Sequence, residues 1–134
     1  MTNPRDFKYT KEHEWLSLES ENRGKVGITA YAQEMLGDIV FLSLPSPGTD
    51  VKQFAKMGEI ESVKAVSDLF SPVSGKVIAI NQEATSDPKL VNDDPYGKGW
   101  LLRVELSKKE ELASLMDSNS YDKLVSELSK EGKH

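Results

Sequence analysis

The strongest constraint on the fold is the stretch GEIESVKAVSDLFSPVSG, residues 58–75, which sets a lysine between two short runs of alternating apolar and polar residues. Residues 58–63 and 66–70 each show the two-residue period of a half-buried strand, and only Lys64-Ala65 separates them. The simplest connection is a β-hairpin with Lys64 at its tip. No Asn-Gly or Asp-Gly pair marks the reversal, so the turn type stays open and the pattern leans on the breakers Pro72 and Gly75 downstream. A lysine in that place has an ordinary reading, a solvated charge that discourages sticking. It also has a chemical one, an amine that another protein can reach.

The flanking sequence builds a β scaffold around this hairpin. Residues 7–10 are extended, and the segment HEWLSL (13–18) is a strand in which Leu16 and Leu18 share a face with Glu14 while Trp15 takes the other. The polar cluster 19–24 turns the chain, and residues 25–28 return as the partner. Thr29 is the expected N-cap of one brief helix over residues 30–36, with Tyr31 and Met35 four apart and Gly37 as its stop. From Gly37 the chain nearly repeats itself: GDIVFL (37–42) matches GKVIAI (75–80), and residues 58–63 match 99–104. Breaker-rich loops lie within the halves, PSPG (45–48) in one, Asp87-Pro88 and residues 92–97 in the other. Two similar strand-loop-strand units, neither able to bury its apolar face alone, predict a pseudo-symmetric pair of sheets packed face to face.

The carboxyl end changes to a helical period. Ser107 and Glu110 form an S-x-x-E capping box ahead of a stripe of Leu112, Leu115 and Met116. Ser120 is the expected cap of a further helix carrying Tyr121, Leu124, Val125 and Leu128 and ending at Gly132. Both stripes are expected to pack on the β core, with the last few residues frayed.

Composition bounds the function. The 134 residues suffice for one domain with a genuine core. A net charge of −5 argues against a nucleic-acid partner, which needs a clustered positive surface. No run reaches membrane-span length, and the start MTNPRDFKYT has neither signal nor transit character, so the expected compartment is the cytoplasm, or the mitochondrial matrix for a processed organelle form. There is no cysteine, and the histidines are only His13 and His134. Disulfides, thiolate metal sites and cysteine nucleophiles are thereby removed, a histidine metal cluster is disfavoured, and any redox chemistry must arrive on a cofactor.

The run ESVKAVSD (61–68) resembles the attachment site of the lipoyl-carrying H proteins of the glycine cleavage system. Biotin carriers typically have Met on both sides of the modified lysine, and the carrier domains of 2-oxo acid dehydrogenases usually have Asp before it; here the neighbours are Val63 and Ala65. The similarity extends over KYTKEHEWL (8–16), VGITAYAQEMLGDIVFLSLPSPG (26–48), ESVKAVSDLFSPVSG (61–75) and NDDPYGKGWLLRV (92–104), in the family's order. It implies a mainly β, flattened barrel or sandwich, the barrel-sandwich hybrid of lipoyl domains, with a short internal helix and C-terminal helices. The chain is then a single lipoyl-carrier domain over residues 1–134, with its core at about 7–105 and a helical segment at about 107–131.

The resemblance also implies a monomeric carrier that is not itself an enzyme. Lipoate is joined by an amide to Lys64, and the arm visits three enzymes. A pyridoxal-phosphate glycine dehydrogenase (decarboxylating) loads an aminomethyl group, a tetrahydrofolate-dependent aminomethyltransferase removes it, and dihydrolipoyl dehydrogenase re-oxidises the dithiol. Glu61 and Ser62, flanking Val63, Lys64 and Ala65, are expected to be read by a lipoate-attaching enzyme. Glu14 and Asp68 are candidates for a cleft that shelters the loaded arm, against plainer readings as a solvated strand residue and a turn residue respectively; Glu12 departs from the small or polar residue common in relatives. Three alternatives are a biotinyl or acyl carrier, a lipoyl or octanoyl donor to other proteins, and a hydrolase using Glu14 and Asp68 as an acid/base pair. The last requires the two carboxylates to meet across a cleft.

Overall fold

The computed structural model describes residues 2–131. Among these residues nine strands form two antiparallel sheets. The first part of the chain supplies β1 (Lys8–Tyr9), β2 (Glu14–Leu18), β3 (Arg23–Ile28), the helix α1 (Ala30–Leu36), β4 (Ile39–Ser43) and β5 (Asp50–Val51). The hairpin strands β6 (Lys56–Ser62) and β7 (Val66–Phe70) follow, then β8 (Gly75–Ile80), α2 (Gln82–Ser86), α3 (Lys89–Asp93) and β9 (Leu102–Leu106). A 3₁₀ segment (Lys109–Ser114) and α4 (Ser118–Glu131) complete the order. The larger sheet runs β1-β2-β3-β9-β8-β5 and the smaller β4-β6-β7.

The near-repeat has a structural counterpart. Its first half supplies the antiparallel pair β4–β6, its second the pair β8–β9, and each pair sits in a different sheet. Inward-facing Leu42, Ile60 and Leu69 of the smaller sheet share one core with Val26, Val77, Leu102 and Val104 of the larger. The symmetry ends at the edges, because the larger sheet recruits β1 to β3 on one side and β5 on the other. At Gly75 an added side chain would run into the Glu105 carbonyl of the neighbouring strand, so the two backbones approach closely only because that residue has no Cβ.

Thr29 caps α1 as expected, its hydroxyl accepting from the Ala32 N–H at 3.2 Å, and Gly37 ends it with a left-handed φ of 79°. The face of α1 that meets the core carries Ala32 and Leu36, whereas Met35 is exposed. Leu18 is likewise exposed, and Glu14, Trp15 and Leu16 are all buried, because β2 is covered on both faces: Leu16 belongs to the inter-sheet core, and Trp15 joins Tyr9 and Tyr121 in a second cluster. Trp15 Nε1 donates to the Ile28 carbonyl at 2.9 Å and the Pro95 carbonyl at 3.1 Å, so the ring is fixed by polar as well as apolar contacts.

Asp87-Pro88 links two one-turn helices, α2 and α3, the first capped by Asn81, and the 92–97 loop opens within the end of α3. Two expectations for the helical segments need correction. The Ser107/Glu110 capping box does not form. The segment is 3₁₀ with no side-chain cap, because the Ser107 N–H that Glu110 would receive in such a box donates to the Ser74 carbonyl at 3.0 Å; the neighbouring Glu111 also accepts from the Ser74 N–H and hydroxyl at 2.7 Å each. Ser120 does not cap α4; the helix starts at Ser118, and the Asp117 carboxylate accepts from the Ser120 N–H at 2.8 Å. Asp117 thus takes the cap position three residues ahead of Ser120, and the same bond holds the Asp117 carboxyl below its ordinary range. Tyr121, Leu124 and Val125 do pack on the aromatic cluster, and the expected stop at Gly132 lies outside the described residues. Among the described residues no helix is long and apolar enough to cross a membrane.

Candidate functional site

The alternation on both sides of Lys64 becomes the β6–β7 hairpin, in register from Gly58 opposite Leu69 to Glu61 opposite Val66, with a register shift between Lys56 and Gly58. This leaves residues 62–65 as the reversal. Ser62 supplies what a turn dipeptide would: its N–H donates to the Ala65 carbonyl at 2.8 Å, while its hydroxyl oxygen accepts from the N–H groups of Lys64 and Ala65 at 3.2 Å each. The Val63 N–H then ties the tip to the Asp38 carbonyl at 3.0 Å. The tip backbone is anchored while its side chains stand clear. Val63, Lys64, Ala65 and Val66 are all exposed, and so is Glu61; Ser62 is buried, so its contribution is to the shape of the tip.

The Lys64 side chain extends over Gly37. A Cβ on that glycine would stand 3.3 Å from Lys64 Cε and 3.8 Å from its Nζ, so the bare backbone after α1 is a pad on which the lysine stem lies. Among the described residues Lys64 makes no ion pair. An open groove of ≈ 610 Å³ begins beside the tip, with Val66, Met35, Asp68, Phe70, Glu12 and His13 among its walls. A second, ≈ 420 Å³, shares Glu12 and Phe70 and continues to Phe54 and Met116.

The two candidate cleft carboxylates sit in different settings. Asp68 lines the first groove from within β7, half-exposed and paired with Lys56 at 3.2 Å, so it is a strand residue and not a turn residue. Glu14 is only 2 % exposed, which overturns the solvated reading. One of its oxygens accepts from the Thr10 hydroxyl at 2.6 Å and the other from the Phe70 N–H at 3.2 Å. Burial pushes its carboxyl up to about 7, against the downward pull of those two bonds. It lies behind the groove wall that Glu12, His13 and Phe70 form, and both of its oxygens are already engaged. Glu14 and Asp68 therefore do not present the facing pair that a hydrolase needs.

His13, at a left-handed φ of 73°, joins α4 to this wall: its Nδ1 meets the Tyr121 hydroxyl at 2.8 Å, and that hydroxyl meets Thr29 Oγ1 at 2.7 Å. Burial lowers the His13 pKa. Glu12, set aside in the sequence for its departure from relatives, lines both grooves. Asp38, whose carbonyl holds the tip, carried no sequence signal, since any residue can present a backbone carbonyl. Among the described residues no group of three or more His, Asp or Glu side chains is placed to hold a metal ion.

The hairpin tip offers an exposed lysine amine, a shaped platform beneath it and a groove alongside. The family model "Glycine cleavage H-protein" matches residues 7–128. The chain is 52% identical over 124 residues to the glycine cleavage system H protein of Symbiobacterium thermophilum, covering 92% of this chain and 96% of that one. It is 50% identical over 124 residues to that of Carboxydothermus hydrogenoformans, covering 92% and 95%. The crystal structure of a glycine cleavage system H protein from Mycobacterium marinum superposes with a TM-score of 0.81 at 39% identity, over 89% of this chain and 95% of that one. The chain belongs to the glycine cleavage H-protein family and is a non-catalytic carrier of the glycine cleavage system, in a family that bears its lipoyl group on a lysine.

Proposed function

We propose that Lys64 is the lysine that bears the lipoyl group, and that the 62–65 tip is the element a lipoate-attaching enzyme reads. The observation that carries this is the combination at Lys64 of an exposed amine and an anchored backbone: no carboxylate among the described residues competes for the Nζ, yet Ser62 and Asp38 fix its place. The lysine nitrogen attacks an activated acyl group, an amide C–N bond forms and the activating group departs, while two of the ammonium's three protons and its charge are lost and one N–H stays on the amide. Glu61, Val63 and Ala65 flank it on the surface, and Ser62 shapes the turn from inside.

When bound, the lipoyl group supplies a disulfide that can be reduced and loaded, chemistry a chain without cysteine cannot provide. The protein's own contribution is position. An amine cargo brought into the groove as a cation meets Asp68 and Glu12 at the lining and Glu14 behind it, and a nearby positive charge draws the proton from Glu14 and holds it ionised. Val66, Met35 and Phe70 give that groove apolar walls that limit water. Membership in the glycine cleavage system brings in its other components as partners; the specific reading is docking in turn to glycine dehydrogenase (decarboxylating), aminomethyltransferase and dihydrolipoyl dehydrogenase, in the cytoplasm, by one carrier domain spanning the chain. Tethering makes each transfer effectively intramolecular once docked, so weak encounters suffice.

The test is acylation of the purified chain by a lipoate-attaching enzyme with lipoate, mapped by peptide mass. Added mass on the Lys64 peptide is expected. Added mass elsewhere, or biotin accepted in its place from a biotin ligase, would overturn the assignment.

A further inference from the structure

The run NDDPYGKGW has no role in the carrier reading so far. Its first residue, Asn92 in α3, directs its whole side-chain amide at one turn. Its Oδ1 accepts from the Ile39 N–H at 2.9 Å, and its Nδ2 donates to the Gly37 carbonyl at 2.9 Å and to Gln33 Oε1 at 3.0 Å. A backbone N–H can only donate and a carbonyl only accept, so a single orientation of the amide satisfies both. The two backbone contacts bracket Asp38 from either side. Asp38 is the residue whose carbonyl holds the Val63 N–H, and Gly37 is the pad under the Lys64 stem.

We propose that Asn92 is a positioning residue for the acylation of Lys64: by clamping the 37–39 turn it fixes where the hairpin tip presents its amine to the attaching enzyme. The chain of contacts is short and directional. Asn92 holds Gly37 and Ile39, Asp38 between them holds Val63, and Lys64 follows. An aspartate in the same place would still accept from Ile39 but would set an acceptor against the Gly37 carbonyl, so the amide and not merely its size is required.

Resting as it does on Lys64 being the acylated residue, the role is tested on the full chain with Asn92→Ala, Asn92→Asp and, as a control, Gln33→Ala, which removes only the contact outside the 37–39 turn. Two quantities are measured: kcat and KM of a lipoate-attaching enzyme for each chain, and hydrogen exchange of the Val63 amide beside the amides of β3 and β9. Both Asn92 variants are expected to lose about tenfold in kcat/KM, carried by KM, with Val63 exchanging about tenfold faster, as the loss of one well-made hydrogen bond implies. The β3 and β9 amides are expected to hold, and Gln33→Ala to match the parent. An unchanged Val63 amide, or protection lost equally at Val63, β3 and β9, would overturn the positioning role. An acylated parent with equally acylated variants overturns the proposal alone, whereas a parent left unacylated at Lys64 overturns the carrier assignment and the proposal with it.

Discussion

Glu14→Gln tests the buried carboxyl directly. Glu14 is 2 % exposed, with its two oxygens on the Thr10 hydroxyl and the Phe70 N–H, and burial raises its carboxyl from an ordinary 4.5 to about 7. Between those two values the folded chain keeps a proton that the unfolded chain has released. The folded state binds more protons there, so stability declines as pH rises through the window and levels off above it. A rise from 4.5 to about 7 corresponds to about 3 kcal/mol between the protonated and ionised limits. Glutamine has the same shape and stays neutral. Its carbonyl can accept from Phe70, and its amide can donate to Thr10 Oγ1 once that hydroxyl rotates. Urea unfolding of parent and variant at constant ionic strength from pH 4 to pH 8.5 is the assay, and the difference between the two chains removes every other titration common to both. That difference is expected to move by about 3 kcal/mol in favour of the variant from acid to base. A difference that stays flat would refute the claim that this carboxyl carries its proton to neutral pH.

Lys64→Arg is expected to abolish mass gain with the attaching enzyme while leaving stability within about 0.5 kcal/mol, because Lys64 makes no ion pair among the described residues; intact mass and a thermal melt measure both. Ser62→Ala removes the oxygen that receives the Lys64 and Ala65 N–H groups, so a loss of about 1 kcal/mol in urea unfolding and slower acylation are expected. Tyr121→Phe deletes the hydroxyl that joins Thr29 to His13 without changing shape in a fully buried site, and a melt followed by circular dichroism is expected to show a loss of about 1–2 kcal/mol.

The hairpin, its lysine and the two-sheet plan were legible because each rests on local alternation and a turn, and these survive in the fold with little help from distant residues. The β4–β6 and β8–β9 pairs are the near-repeat made visible. What stayed hidden depends on tertiary partners. Glu14 shares its strand face with Leu16, but only the arrival of Phe70 and Thr10 turns it into a buried acid. The S-x-x-E box does not form because Ser74, more than thirty positions earlier, takes the Ser107 N–H on its carbonyl. Asn92 stands in a motif, yet its contacts with Gly37 and Ile39 exist only because α3 lies against the turn after α1.

Because the tip is fastened to Asp38 by its own main chain, a group borne on Lys64, as proposed above, would hang from one fixed pivot. Its reach would then be set by the lysine stem and its own length, so the volume searched would be the same for every partner that docks. Inserting residues into the hairpin would enlarge that volume and dilute the cargo at its destination, a cost in transfer rate that no strengthening of the docking contacts would recover.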